Sequence, residues 1–453
     1  MTAVNAPRFR SDDDQPIASV RRGVCPSLSK PMQTGDGLLV RLRPASGGLS
    51  PVEIRAVARA AAEFGNGILE VTARGNLQIR GLKPETVEPL TQAVFATGMD
   101  LATGLAVETP PLSGLDRAEV VDPRPLAARI RAAVAAEPVP LVLAAKLSVI
   151  VDGGGTFDLD AIVADIRLKA LDAGSWVMTL GGTADTGRVA GVVSDEMALD
   201  AVMAALRQLH AIGPSARARD VDVMALKLSP AKLLNTARDV PSVRRPAGHH
   251  VLADGVHVAG LGLPFCQVKA DALMALADRA EALDVSDIRL APDHGLLVAG
   301  LSAENTARLL DGARALGFRV RADDPANAIS LCAGTAGCAS AYFDTHALAD
   351  LVIAKAPDLL DGSFDLHLSA CSKGCAHPAA TLLALVGAPL GYGVVVNGSA
   401  SASPEAYIAA NDVASAVQRL SALVRTEKEA GESARSCLTR LGAERVAAAL
   451  RQE

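Results

Sequence analysis

The chain has 453 residues, half of them apolar, which is enough for three or four domains with sizeable cores and excludes a disordered chain. A formal net charge of −6 and an aromatic content of 3% exclude a basic nucleic-acid footprint and a stacking platform for bases. The longest apolar stretch, Thr381 to Val396, is broken by Gly387, Pro389, Gly391 and Gly393, so no membrane span is predicted and a soluble, cytoplasmic protein is expected.

In chain order, residues 1–18, with Asp12-Asp13-Asp14, read as a flexible solvated tail, and no apolar signal segment follows Met1. Residues 19–100 carry a strand at 37–43, a helical pattern at 51–64, a strand, turn and strand at 69–82, and a helix ending at Gly98. Residues 101–238 carry a strand at 147–153, a predicted helix through Ala170, and a strand at 176–184 with a Gly181-Gly182-Thr183 turn. Residues 239–320 then repeat the first unit about 219 positions on, with strands at 255–260 and 287–301, a helix at 270–282 and a further helix ending at Gly317; Gly81-Leu82 recurs as Gly300-Leu301. Residues 321–403 repeat the second unit, with 368–371, a predicted helix through Leu385, and 392–400 with its Asn397-Gly398-Ser399 turn. Residues 404–453 read as a C-terminal helical tail. The predicted class is α+β, internally duplicated in the order A-B-A′-B′.

The last of these units carries the clearest chemical signal. Cys332-x5-Cys338 and Cys371-x3-Cys375 lie 32 residues apart, each pair in a run of small residues that lets the backbone fold tightly and direct amides at sulfur. Four such thiolates are enough for a [4Fe–4S] cluster. Structural zinc fits these spacings poorly, and a reducing compartment disfavours disulfides. Cys25, Cys266 and Cys437 lie outside the quartet and read as small buried hydrophobes.

The two A units have diverged in chemistry. In the first, Arg41 and Arg43 share one strand face, and Asn76, Gln78 and Arg80 share another just after Arg74. The matching positions of the second copy are Asp293, Gly295, Leu297 and Ala299, so the donors were lost there. A solvated sheet face is one reading. The other is a surface for a ligand with several carboxylates, which guanidinium forks pair bidentately.

The cysteine quartet, the duplicated half domains and the segment 71–80 together resemble the nitrite and sulfite reductase superfamily over roughly residues 22–401. The resemblance implies two ferredoxin-like half domains (19–100 and 239–320), a first α/β lobe (101–238) and an iron–sulfur α/β lobe (321–403). In that superfamily arginines like those of the first half domain hold the carboxylates of a siroheme beside the cluster, and a Lys-x-Lys pair helps protonate a bound anion. This chain keeps Lys146 but has Ser148 in the second place, which weighs against anion reduction. The segments 22–41 and 146–155 are most similar to the tetrapyrrole-oxygenating branch of aerobic cobalamin synthesis. That likeness implies a monooxygenase hydroxylating a tetrapyrrole at a meso carbon with lactone formation, using dioxygen, a [4Fe–4S] cluster on Cys332, Cys338, Cys371 and Cys375, and a mononuclear non-haem iron. Arg41, Arg43, Arg74, Asn76, Gln78, Arg80 and Lys146 become the candidate substrate-binding residues. The alternative is a siroheme-dependent nitrite or sulfite reductase.

Ligands for the second iron are sought among His249, His250, His257, Asp293, His294, His367 and His377. His257, Asp293 and His294 are the preferred set, because their strands belong to one sheet, while His377 is expected to support the cluster from outside its ligand shell. No G-x-G-x-x-G opens a helix, so electrons are expected from a separate reductase or ferredoxin, ultimately from NADH.

Overall fold

The computed structural model describes residues 26–45, 47–230, 245–377 and 380–451. The predicted N-terminal tail and Cys25 lie outside the described residues.

Alternating apolar positions in each A unit produce a sheet with one buried face, and the two sheets complete each other. The first runs Met32–Thr34, Gly37–Leu42, Leu77–Leu82, Ile68–Val71, and its last strand is Gln267–Lys269 from the second unit. The other runs Gly248–Val251, His257–Gly262, Gly295–Leu301, Ile288–Ala291, and is closed by Gly48–Leu49 from the first. The exchange obeys the 219-residue repeat: Leu69 pairs with Val268, and their counterparts Ile288 and Leu49 pair likewise. A strand of two or three residues is too short to stand alone, so each half depends on the other for its sheet edge.

Helices Pro51–Phe64 and Ala270–Glu281 pack together beneath these sheets, so that Val40, Leu42, Ile54, Leu69 and Ile79 share one core with Leu261, Leu273, Leu276, Ile288 and Val298. Arg55 on the first helix reaches Asp278 at 2.7 Å, and Glu281, on the second. The first helix begins with Pro51 behind a capping box: the Ser50 amide donates to Glu53 at 2.7 Å, and the Glu53 amide donates back to the Ser50 hydroxyl at 3.3 Å.

The two B units also share a plan. In the first lobe, Ala106–Glu108, Ser148–Asp152 and Ile166–Asp172 are parallel neighbours, followed by antiparallel Ser175–Leu180 and Arg188–Ser194. In the second, Ile329–Leu331, Leu366–Ser369 and Thr381–Ala388 are parallel, followed by antiparallel Gly391–Gly398 and Ala406–Ala409.

Three sequence expectations are corrected here. Ile166–Asp172 and Thr381–Ala388 are strands, whereas helices were predicted through Ala170 and Leu385. Each pairs parallel on one side and antiparallel on the other; Thr381–Ala388 is almost wholly buried, so it reads as a continuous apolar run that periodicity cannot tell from a buried helix, while Ile166–Asp172 is buried only over its first half. The third concerns residues 404–453. Their first element, Ala406–Ala409, is an edge strand of the lobe, and the helices Val413–Glu427 and Ala434–Leu450 place Val417, Leu420, Val424, Leu438 and Val446 in the lobe's own core.

Candidate active site at the cysteine loops

Both cysteine pairs hang from the same edge of the second lobe. Ile329–Leu331 and Leu366–Ser369 are parallel neighbours with Leu331 opposite Leu368, so the loops holding Cys332 to Cys338 and Cys371 to Cys375 leave the sheet side by side. Hydrogen bonds stitch them together: Ala370 N donates to Cys332 Sγ at 3.3 Å, Tyr342 N to Ala370 O at 3.0 Å, and Lys373 Nζ to Ser340 Oγ at 2.9 Å. Thr345 Oγ1 holds the Cys332 carbonyl at 2.6 Å, and Ser369 Oγ the Cys371 carbonyl at 2.7 Å. Gly334 and Gly374 take left-handed φ of +59° and +58°, and a Cβ on Gly334 would stand 2.6 Å from the Thr345 hydroxyl.

None of the described cysteines is in a disulfide. Burial pushes the Cys332 thiol up, although the Ala370 and Gly334 amides oppose that, and Cys371 and Cys375 stand near enough to add to it. Among the described residues no three or more His, Cys, Asp or Glu draw together around a single ion. The side-by-side loops and the Ala370 amide aimed at Cys332 Sγ are compatible with thiolate ligands of an iron–sulfur cluster.

The first cysteine loop touches the first half domain. Ala339 N donates to Gly35 O at 3.1 Å, and a Cβ on Gly35 would lie 2.3 Å from Cys338 Sγ. The next residue, Asp36, begins a chain of ion pairs across the donor face. Arg80 grips Asp36 through Nε at 2.9 Å and Nη2 at 2.8 Å, and reaches Glu70 at 3.2 Å through Nη1. Burial works against the Arg80 charge, but Glu70 and Asp36 outweigh it and hold the guanidinium protonated; burial likewise works against the Asp36 charge, yet Arg80 keeps that carboxyl below its ordinary value. Gln78 lies in register between Arg41 and Glu70. In the amide orientation that satisfies both, it donates to Glu70 at 3.0 Å and accepts from Arg41 at 2.7 and 3.0 Å. Gln267, from the exchanged strand, donates to Glu70 at 2.8 Å.

Arg74 turns away to the first lobe. It pairs with Glu108 at 2.5 Å, donates to Ser148 Oγ at 3.1 Å and also reaches the Val163 carbonyl. Arg43 donates to Gly104 O at 2.7 Å, Asn76 is buried at the hairpin end, and Lys146 is exposed just before Ser148–Asp152. Of the donors predicted from sequence, Arg41, Gln78 and Arg80 are joined through Glu70, whereas Arg74 and Arg43 bond elsewhere; Arg80 is paired with Asp36 and Glu70, and Arg74 with Glu108. Sequence reasoning missed Asp36 and Glu108 because they meet their arginines only through long-range contacts, whereas Glu70 faces Arg80 across a short hairpin and was open to it.

The preferred iron set is overturned. His257 pairs with Leu301 at one end of its ladder, while Asp293 and His294 form the turn beyond Gly262–Gly295 at the other, about 17 Å away at ~3.4 Å per residue. His257 Nδ1 instead meets His249 Nε2 at 2.9 Å, and His294 Nδ1 meets the Val71 carbonyl at 2.6 Å. Burial pushes the Asp293 carboxyl up against the pull of Arg245 and His294. Asp293 and His294 sit at φ of +57° and +60°, where their turn meshes with the equivalent turn of the first unit through the Arg74–Pro292 bridge.

One of the candidate histidines outside the preferred iron set stands out. His367, in the strand leading to Cys371, is fully buried, and neither ring nitrogen has a hydrogen-bond partner. Burial, with His377 reinforcing it, pushes this imidazole down to about 4.

A duplicated body of exchanged half sheets, with a cysteine lobe against the donor face of one half, defines a protein of the nitrite/sulfite reductase fold. The family model described as the nitrite/sulfite reductase ferredoxin-like half domain matches residues 30–94. The solved structure of the Mycobacterium tuberculosis NirA protein superposes with a TM-score of 0.71, covering 91% of this chain and 85% of that one at 18% identity, a likeness of fold. A precorrin-3B synthase from Sinorhizobium sp is 48% identical over 447 residues, 96% of each chain. The chain belongs to the precorrin-3B synthase family.

Proposed function

We propose that this protein is the oxygen-dependent enzyme that hydroxylates precorrin-3A at a meso carbon and closes a lactone from a ring acetate. Family membership over 96% of the chain supports the reaction class. The observation that carries the site is the contact of the Cys338 loop with Gly35 and, through Asp36, with the Arg80–Glu70–Gln78–Arg41 face. That contact supports a reading in which an electron source lies beside a surface that binds carboxylates.

In this reading Cys332, Cys338, Cys371 and Cys375 hold a [4Fe–4S] cluster, which supplies electrons one at a time from an external reductase or ferredoxin. Arg41, Arg43 and Lys146 offer cationic donors to the substrate carboxylates, and Gln78 and Asn76 orient them. Arg80 keeps the face rigid through Asp36 and Glu70. One oxygen atom enters the product as the new hydroxyl, and the other leaves as water with two electrons and two protons. The residues His257, Asp293 and His294 do not fit a mononuclear iron, so no step is assigned to such a metal on them.

The siroheme reductase reading is disfavoured by Arg74. Its charge is already matched by Glu108, and Ser148 stands where a second lysine would serve an anion. The deciding experiment supplies the purified protein with precorrin-3A, a reductant and ¹⁸O₂. The proposal expects oxygen uptake and one labelled atom in the product; an intense Soret band with nitrite or sulfite turnover and no oxygen uptake would establish the alternative.

A further inference from the structure

His367 is a buried polar side chain whose ring nitrogens have no hydrogen-bond partner, beside the loop from Cys371 to Cys375. Along the sheet it pairs with Ser330 and Ala384, and Ala384 with Val395, so its neighbours on that face are small or apolar; Ala384, Val386, Val395 and Ala400 form a cluster of their own. A Cβ on Gly374 would stand 3.8 Å from His367 Cε1 and 3.1 Å from the Ala400 methyl. Cε1 lies between the two ring nitrogens. The polar edge of the imidazole therefore faces the underside of the loop from Cys371 to Cys375, with the His377 ring 5.6 Å away.

In either protonation state an imidazole carries at least one ring N–H. Leaving that donor buried and unmatched is unfavourable. A side chain of the same size without nitrogen would pack against Ala384, Val395 and Ala400 with no such cost. We propose that His367 is a positioning residue that donates a hydrogen bond from beneath the loop to a sulfur of the iron–sulfur centre, either inorganic sulfide or the thiolate of Cys371 or Cys375. The inference rests on the cluster reading above and adds a residue outside the quartet. Hydrogen bonds to cluster sulfur favour the reduced, more negative state and raise the reduction potential.

The test uses the full-length protein with its cluster, as wild type and as His367→Phe, His367→Gln and His377→Ala variants. Iron and acid-labile sulfide are counted, and the midpoint potential is followed by paramagnetic resonance. His367→Phe should keep its iron and sulfide while its potential falls by about tenfold in the reduced-to-oxidised ratio, ~59 mV for a one-electron couple. His367→Gln, which keeps a donor, should recover most of that shift, and His377→Ala should move the potential much less than His367→Phe. A wild-type potential in His367→Phe overturns the proposal. So does an equal drop in the Phe and Gln variants, or loss of the cluster from both, because His367 would then act by packing. Wild-type protein that holds no iron and sulfide after anaerobic reconstitution would overturn the cluster reading and this inference with it.

Discussion

Replacing Gly35 with alanine separates the cluster from the fold. The added methyl would lie 2.3 Å from Cys338 Sγ and 3.3 Å from Ala339 N, so the sulfur must retreat by about 1.1 Å to reach the 3.4 Å at which ordinary contact begins. Without metal that retreat is cheap, because one χ1 rotation moves a thiol and Gly35 is only half-buried at a turn. With metal it is not, since ligand distances tolerate only about 0.2 Å. Gly35→Ala should therefore fold like wild type by circular dichroism and unfold at a similar denaturant midpoint, yet lose most of its iron and sulfide and the paramagnetic signal of the reduced cluster. A variant with full iron and sulfide and a wild-type signal would refute the placement of Cys338 as a ligand against this turn.

Arg41→Ala should weaken tetrapyrrole binding by roughly 1–3 kcal/mol in a fluorescence or absorbance titration, with iron and sulfide unchanged; equal affinity would make this face merely solvated. Arg80→Ala should instead destabilise the fold by roughly 3–5 kcal/mol in chemical denaturation, because Asp36 and Glu70 are left half-buried without their cation. Since Asp36 is depressed below 3.8 in the folded protein, its contribution is present above that pH and is lost as pH falls through the folded value, so the variant should show a shallower loss of stability in acid than wild type. Glu119 behaves oppositely. Burial lifts it to about 7, with one carboxylate oxygen unpaired, so stability is greatest below its unfolded value near 4.5 and declines as pH rises towards 7. Glu119→Gln should raise the thermal midpoint at pH 8 relative to wild type and leave it little changed at pH 4.

Much of the site was legible because its signals are local. The cysteine spacings, their small neighbours and the alternation that puts Gln78 and Arg80 on one strand face depend only on residues a few positions apart. The helix at 51–64 was legible too, from the helical spacing of its apolar residues. What sequence could not carry was the partner of each charge. Asp36, Glu70 and Glu108 look like ordinary surface acids until strand pairing sets Glu70 beside Gln78 and the first lobe carries Glu108 to Arg74. The same limit misled the iron assignment: sharing a sheet does not bring His257 near His294 when they sit at opposite ends of a ladder.

The amino-acid order alone established the duplication, the cysteine quartet and the loss of donors from the second half domain, since repeats and period-two faces are properties of short stretches. Only the tertiary structure decided that the halves trade strands at Gly48–Leu49 and Gln267–Lys269, that the Cys338 loop abuts Gly35, and that His367 is sealed without a partner under Gly374. The first two facts join residues that are distant along the chain and are brought together by burial of shared apolar faces; the third depends on the packing of Ala384, Val395 and Ala400 around His367. No local pattern encodes that meeting.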